Sequence, residues 1–151
     1  MRDGGPGTRI GAMKKLFAGL ASLLLLAEVA QFYLAASGAF DSAPIEEAFS
    51  PHRFLGYLIL FSAVVLVVVS AIARMPGRVI GRTALVAGLV LIQSLIREVA
   101  RSFGEGSETG HLIFGVHAVN GLIIVGATIW VVREARQIAW PRTELSHATR
   151  S

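Results

Sequence analysis

Cysteine is absent from the 151-residue chain, and charged side chains are scarce, 16 % against roughly 25 % in an average soluble protein. Without cysteine there are no disulfides, no thiolate metal sites, no cysteine nucleophile and no covalent CxxCH haem attachment. The shortage of charge, with 54 % hydrophobic residues and a mean hydropathy of +0.64, excludes a disordered chain and argues against a water-soluble enzyme. No motif for a hydrolase, kinase or nuclease stands out. Gly4-Gly5-Pro6-Gly7 and the Gly104 to Gly110 stretch lack the strand-turn-helix context of a phosphate loop.

What the sequence has instead is four long apolar stretches, about 16–36, 54–73, 79–100 and 112–132. Each is close to the ~20 residues that cross ~30 Å of hydrocarbon as a helix. A helix satisfies its own backbone there, so the chain reads as all-α. Short connections predict an integral membrane antiparallel four-helix bundle, up-down-up-down, over residues 13–136. Residues 1–12 read as a disordered tail and 137–151 as a second tail. Lys14-Lys15 before an apolar run also resembles a secretory signal, with Ser37-Gly38-Ala39 as its cleavage site. That run is longer than the usual ~7–15 residues and carries Glu28, which favours a retained span.

The basic residues set the direction. Eleven of fourteen (Arg2, Arg9, Lys14, Lys15, Arg74, Arg78, Arg82, Arg133, Arg136, Arg142 and Arg150) fall on one side, leaving Arg53, Arg97 and Arg101 on the other. The positive-inside rule then puts both termini in the cytoplasm, for a multi-pass protein of the bacterial inner membrane. The high pI of about 10.3 is a topology signal on this reading, with no nucleic-acid partner implied.

Polar groups inside a membrane cost about 2.5–3.5 kcal/mol each when charged, so they are the default functional clue. Here they share the outer half of the spans. Glu28 and Gln31 lie in span one, Gln93 and Arg97 in span three, His117 and Asn120 in span four, and His52 opens span two. Spacings of i,i+3 or i,i+4 put each pair on one helix face. Facing inward, the stripes would line a polar chamber; hydrogen bonding between helices alone is the plainer use.

The halves of the chain echo each other. Gln31 precedes His52-Arg53-Phe54-Leu55-Gly56, and Gln93 precedes His117-Ala118-Val119-Asn120-Gly121. An imidazole can ligate iron, and a glycine four residues on lets a flat porphyrin approach the helix. His52 and His117 are therefore candidate axial ligands of a b-type haem, with Gly56 and Gly121 beneath its plane and Arg53, Arg97 and Arg101 at the propionates. His111-Leu112-Ile113-Phe114-Gly115 fits the same pattern, so His111 is the alternate second ligand; His147 reads as solvated.

Residues 13–136 resemble a family of small bacterial four-helix membrane proteins of uncharacterised function. The likeness lies in Lys15-Leu16-Phe17-Ala18, Val29-Ala30-Gln31-Phe32, His52-Arg53-Phe54-Leu55-Gly56-Tyr57, Gln93 and His117-Ala118-Val119-Asn120-Gly121. It implies topology rather than activity. The chain is also similar, more weakly, to one half of haem A synthase and to b-type membrane cytochromes. His52-Arg53 matches the end of the synthase's Glu-x-x-His-Arg motif, but Phe49 stands at the Glu position. That departure argues against the synthase's oxidative chemistry and leaves haem binding open.

Two functions follow from the sequence. One is a haem protein near the outer face, serving electron transfer or haem handling with a redox partner. The other is a bundle without cofactor, not an enzyme in its own right, that binds a membrane-protein partner or a second copy through Gly19, Gly88, Gly115 and Gly126. A transport path through Glu28 is a third, but the inner halves of the spans offer it no polar continuation.

Overall fold

The computed structural model describes residues 6–104 and 107–141, so Arg2, Glu105, Arg142, His147 and Arg150 lie outside the described residues. Five helices account for nearly all of it: α1 (Pro6–Ala39), α2 (Ile45–Ala48), α3 (Ser50–Ile72), α4 (Gly77–Ser102) and α5 (Glu108–Ala139). The four long ones are each long and apolar enough to cross a membrane and fit a multi-pass membrane protein. They overrun the apolar stretches at several ends. Helix α1 starts at Pro6, so residues 6–12, expected as part of a disordered tail, are helical; α5 continues through residues 137–139 in the same way. Backbone hydrogen bonding propagates a helix past its apolar section at little cost, and α5 runs on until Trp140-Pro141.

The helices form a ring in the order α1, α3, α4, α5, which leaves α1 opposite α4 and α3 opposite α5. Mostly small and β-branched residues fill its axis, among them Ala21, Ala63, Val79, Val86 and Ala135, together with the ring of Phe17. The outward faces are apolar. Leu23, Leu26, Tyr33, Phe54, Phe61 and Leu122 are all more than half exposed. In water such a surface would forgo the ~25 cal/mol per Å² that burial returns, so its natural medium is lipid. Polar side chains take the inside instead. Ser70 and Thr83 are buried and return their hydroxyls to the carbonyls of Val67 and Val79.

The connection from α3 to α4 is tight. Arg74 has φ of 52°, its N–H bonds the Ala71 carbonyl at 3.0 Å, and the Met75 N–H bonds the Ser70 carbonyl at 3.0 Å. These are the two bonds of a Schellman cap with arginine in the left-handed position that glycine usually takes. Pro76 follows and starts α4, since it cannot continue α3. At the other end Pro44 opens the short α2, and Ser107 caps α5 through a 3.4 Å bond from the Gly110 N–H.

The internal echo of the sequence is also an echo of packing. The α1–α3 contact corresponds to α4–α5, and α1–α5 corresponds to α4–α3. On the α1–α5 seam, Glu28 is only 3 % exposed; its Oε1 accepts a 2.8 Å bond from Thr128 Oγ1, and its Oε2 has no partner. The corresponding residues of the α4–α3 seam are Val90 and Ala63, both buried and apolar.

Two stability predictions follow. Arg74→Gly removes the left-handed penalty and should stabilise the protein in detergent by up to about 1 kcal/mol, read as a higher Tm; an unchanged or lower Tm would count against the cap. Thr128→Val leaves the Glu28 carboxyl without its donor and should cost about 1–3 kcal/mol. The double variant Glu28→Val, Thr128→Ala copies the apolar seam opposite and should restore wild-type thermal stability; a double variant as unstable as the single one would show that the seams are not equivalent.

Candidate functional site

The ring opens into one cleft whose walls carry nearly every polar residue singled out in the sequence: Glu28, Gln31, His52, Arg53, Gly56, Gln93, Arg97, His117 and Gly121. Its inner volume is about 100 Å³, and about 700 Å³ when the open mouth is counted. The residues come from the C-terminal parts of α1 and α4 and the N-terminal parts of α3 and α5. His52 and His117 therefore project from helices that face each other across the ring.

Each half of the cleft is built on the same device. Gln31 Nε2 donates to the His52 carbonyl at 2.8 Å, and Gln93 Nε2 donates to the His117 carbonyl at 2.9 Å. These amides bridge neighbouring helices at carbonyls whose own helix bonds leave a lone pair free. The glycine one turn on makes room for the bridge. A Cβ on Gly56 would sit 3.1 Å from Gln31 Nε2; one on Gly121 would meet Phe32 Cζ at 3.3 Å and Gln93 Nε2 at 3.6 Å.

The imidazoles are held differently. His52 donates its Nδ1–H to the Gln31 carbonyl at 3.1 Å, which in the neutral ring leaves Nε2 as the lone-pair nitrogen. His117 Nδ1 is buried without a hydrogen-bond partner among the described residues. Neither Nε2 has a hydrogen-bond partner among the described residues. Phe49 lies edge-on to His52 with centroids 6.0 Å apart, and Phe114 lies tilted against His117 at 6.1 Å. The full repeated pattern is thus Phe-x-x-His-x-x-x-Gly in both halves. The sequence reading missed the phenylalanines, although their identical offset from each histidine was there to be seen.

The halves differ in detail. Asn120 Nδ2 donates to Gln93 Oε1 at 2.6 Å and to the Leu89 carbonyl at 3.1 Å, closing a network in the second half. Leu55 stands at the matching place in the first, and Gln31 Oε1 is left buried without a donor. At the rim, Arg53 pairs with Glu46, and Arg97 with Glu98. Both line the cleft, but their guanidinium groups are already engaged by carboxylates. Arg101 binds Glu46 at 2.5 Å and ties α2 to the end of α4, away from the lining.

His111 is exposed and does not line the cleft, so His117 is the second-half histidine that shares it with His52. No group of three or more His, Cys, Asp or Glu side chains is arranged to hold a bare metal ion among the described residues. What the cleft offers is two nitrogen donors in an apolar setting, together with uncommitted acceptors at Gln31 Oε1 and Glu28 Oε2.

Residues 31–100 match a family of unknown function (DUF6220). The matched segment runs from Gln31 through the first histidine to the end of α4, and so holds the first Gln–His–Gly set and Gln93. No curated protein and no solved structure matches the chain.

Proposed function

We propose that the protein is an antiparallel, up-down-up-down membrane bundle of the bacterial inner membrane, with both termini cytoplasmic, that holds a b-type haem in this cleft near the outer face. His52 and His117 are the axial ligands, and the task is electron transfer or haem handling. The observation that carries the reading is the pair of His–Gly units on mutually opposite helices, lining one cleft.

Three features bear on the fit. A ligating imidazole characteristically donates its other N–H to a carbonyl, which fixes the tautomer and turns the lone pair to the metal; His52 is held in that way by Gln31. His117 Nδ1 is buried without a partner among the described residues, so this imidazole is not fixed by the same bond. At Gly56 the Gln31 amide, and at Gly121 the Phe32 ring and the Gln93 amide, take the space beside the helix, so a flat ring would have to displace them to approach it there. The inner volume of about 100 Å³ is below the ~300–1,000 Å³ of small-molecule sites, so a macrocycle would extend out through the open mouth or push the walls apart. Bound haem supplies one-electron chemistry at iron. The chain's own residues fix the His52 imidazole, exclude water with Phe32, Ile59, Ile124 and Val125, and present Arg53 and Arg97 at the rim, where propionates would compete with Glu46 and Glu98.

Protein expressed with haem supply and purified in detergent should show a Soret band and, on reduction, the sharp visible bands of a six-coordinate haem. His52→Ala and His117→Ala should each convert or abolish that spectrum while helix content by circular dichroism is kept. Colourless wild-type protein, or variants with an unaltered spectrum, would overturn the assignment and leave the reading of a cofactor-free bundle that binds a membrane partner or a second copy. Gly56→Leu should lower the haem content severalfold with the ligands intact. Gly19→Leu, which points into open space on α1, should leave it unchanged.

A further inference from the structure

At the opposite end of the bundle, a second cleft of about 460 Å³ is lined by Arg78 and Arg82 of α4 and by Trp130, Arg133, Glu134 and Gln137 of α5. The spacing puts Arg78 and Arg82 one turn apart on α4, and Trp130, Glu134 and Gln137 on one face of α5. Glu134 is buried and uses both oxygens, Oε1 accepting from Arg78 Nε and Oε2 from Arg82 Nη1. The Arg82 guanidinium also lies over the Trp130 ring, 3.8 Å from its centroid.

The charge does not balance. One carboxylate between two guanidinium groups leaves one positive charge, and Arg133, exposed beside them, has no ion pair among the described residues. The cleft thus carries a surplus of about two positive charges, counting each arginine as fully protonated. Glu134 and Trp130 order Arg78 and Arg82 beforehand and leave N–H groups of both without an acceptor among the described residues. The first turn of α4 adds its uncapped N–H groups and the positive end of its dipole.

We propose that this cleft binds the phosphate of an anionic phospholipid headgroup. Guanidinium forks match phosphate oxygens in geometry and charge. Trp130 and Arg78 are both more than half exposed at the end of the apolar faces, where an indole and a basic rim meet headgroups. Glu134 is the positioning residue, and Arg133 is the arginine free to give its whole charge to the ligand. A free inorganic phosphate shares the chemistry and lacks the acyl chains that would lie along α4 and α5.

The test is the thermal unfolding of the full chain in detergent with added phosphatidylglycerol, phosphatidylcholine or inorganic phosphate at matched ionic strength. Phosphatidylglycerol should raise the Tm, and phosphatidylcholine should not. Arg133→Gln, at an exposed and unpaired position, should keep the unliganded Tm and weaken the apparent affinity for phosphatidylglycerol about tenfold, the loss of one charge-assisted bond. Arg133→Lys should restore part of it. An equal response to both lipids, or a phosphatidylglycerol response unaltered in Arg133→Gln, would overturn the site. A response to inorganic phosphate as large as that to phosphatidylglycerol would overturn the lipid as its ligand.

Discussion

In hydrocarbon a helix gains little by hiding apolar side chains from its surroundings, so the few polar groups decide which faces meet. That constraint organises this molecule. Gln31 and Gln93 each reach across to a carbonyl of the next helix, Glu28 meets Thr128, and Asn120 meets both Gln93 and Leu89. Most leucines and phenylalanines, which would form the core of a soluble protein, are turned outward, with Phe17, Leu24 and Leu66 as exceptions. The axis is left mainly to alanine, valine, serine and threonine, whose small volumes let the backbones approach closely enough for those bonds to form.

Much of this was legible in the chain because membrane helices announce themselves by length, and because i,i+3 and i,i+4 spacing fixes which residues share a face. The four spans, the stripes at Glu28–Gln31, Gln93–Arg97 and His117–Asn120, and the two His–Gly units all come from that arithmetic. What it cannot supply is the partner across the gap. Nothing local to Thr128 marks it as the donor to Glu28, and nothing local to Asn120 points to Leu89. Arg78 and Arg82 carry weight in the sequence only as a topology signal. Their engagement by Glu134, fifty residues away and more, is a property of the α4–α5 packing. The left-handed Arg74 was hidden for a different reason: the residue that normally flags such a cap is glycine, and it is absent there.

The two ends of the bundle are built on contrasting principles. At the histidine end the glutamine amides and the His52 imidazole turn to helix carbonyls, and the charged Arg53 and Arg97 are paired with Glu46 and Glu98. At the arginine end one buried carboxylate holds two cations in place and leaves their outer edges to the surroundings. An open, overcharged rim suits an anion that arrives from outside.

The likeness between the two halves is imperfect where it matters for anything that enters the histidine cleft. One wall presents the Glu28 carboxyl and the Phe32 ring; the matching wall presents Val90 and Ser94, with Asn120 braced beneath Gln93 on that side alone. A planar guest thus meets unlike neighbours along its two edges. Rotating it by half a turn would exchange an acidic, aromatic flank for an aliphatic, hydroxylic one, so the duplicated scaffold is not two-fold symmetric toward a guest.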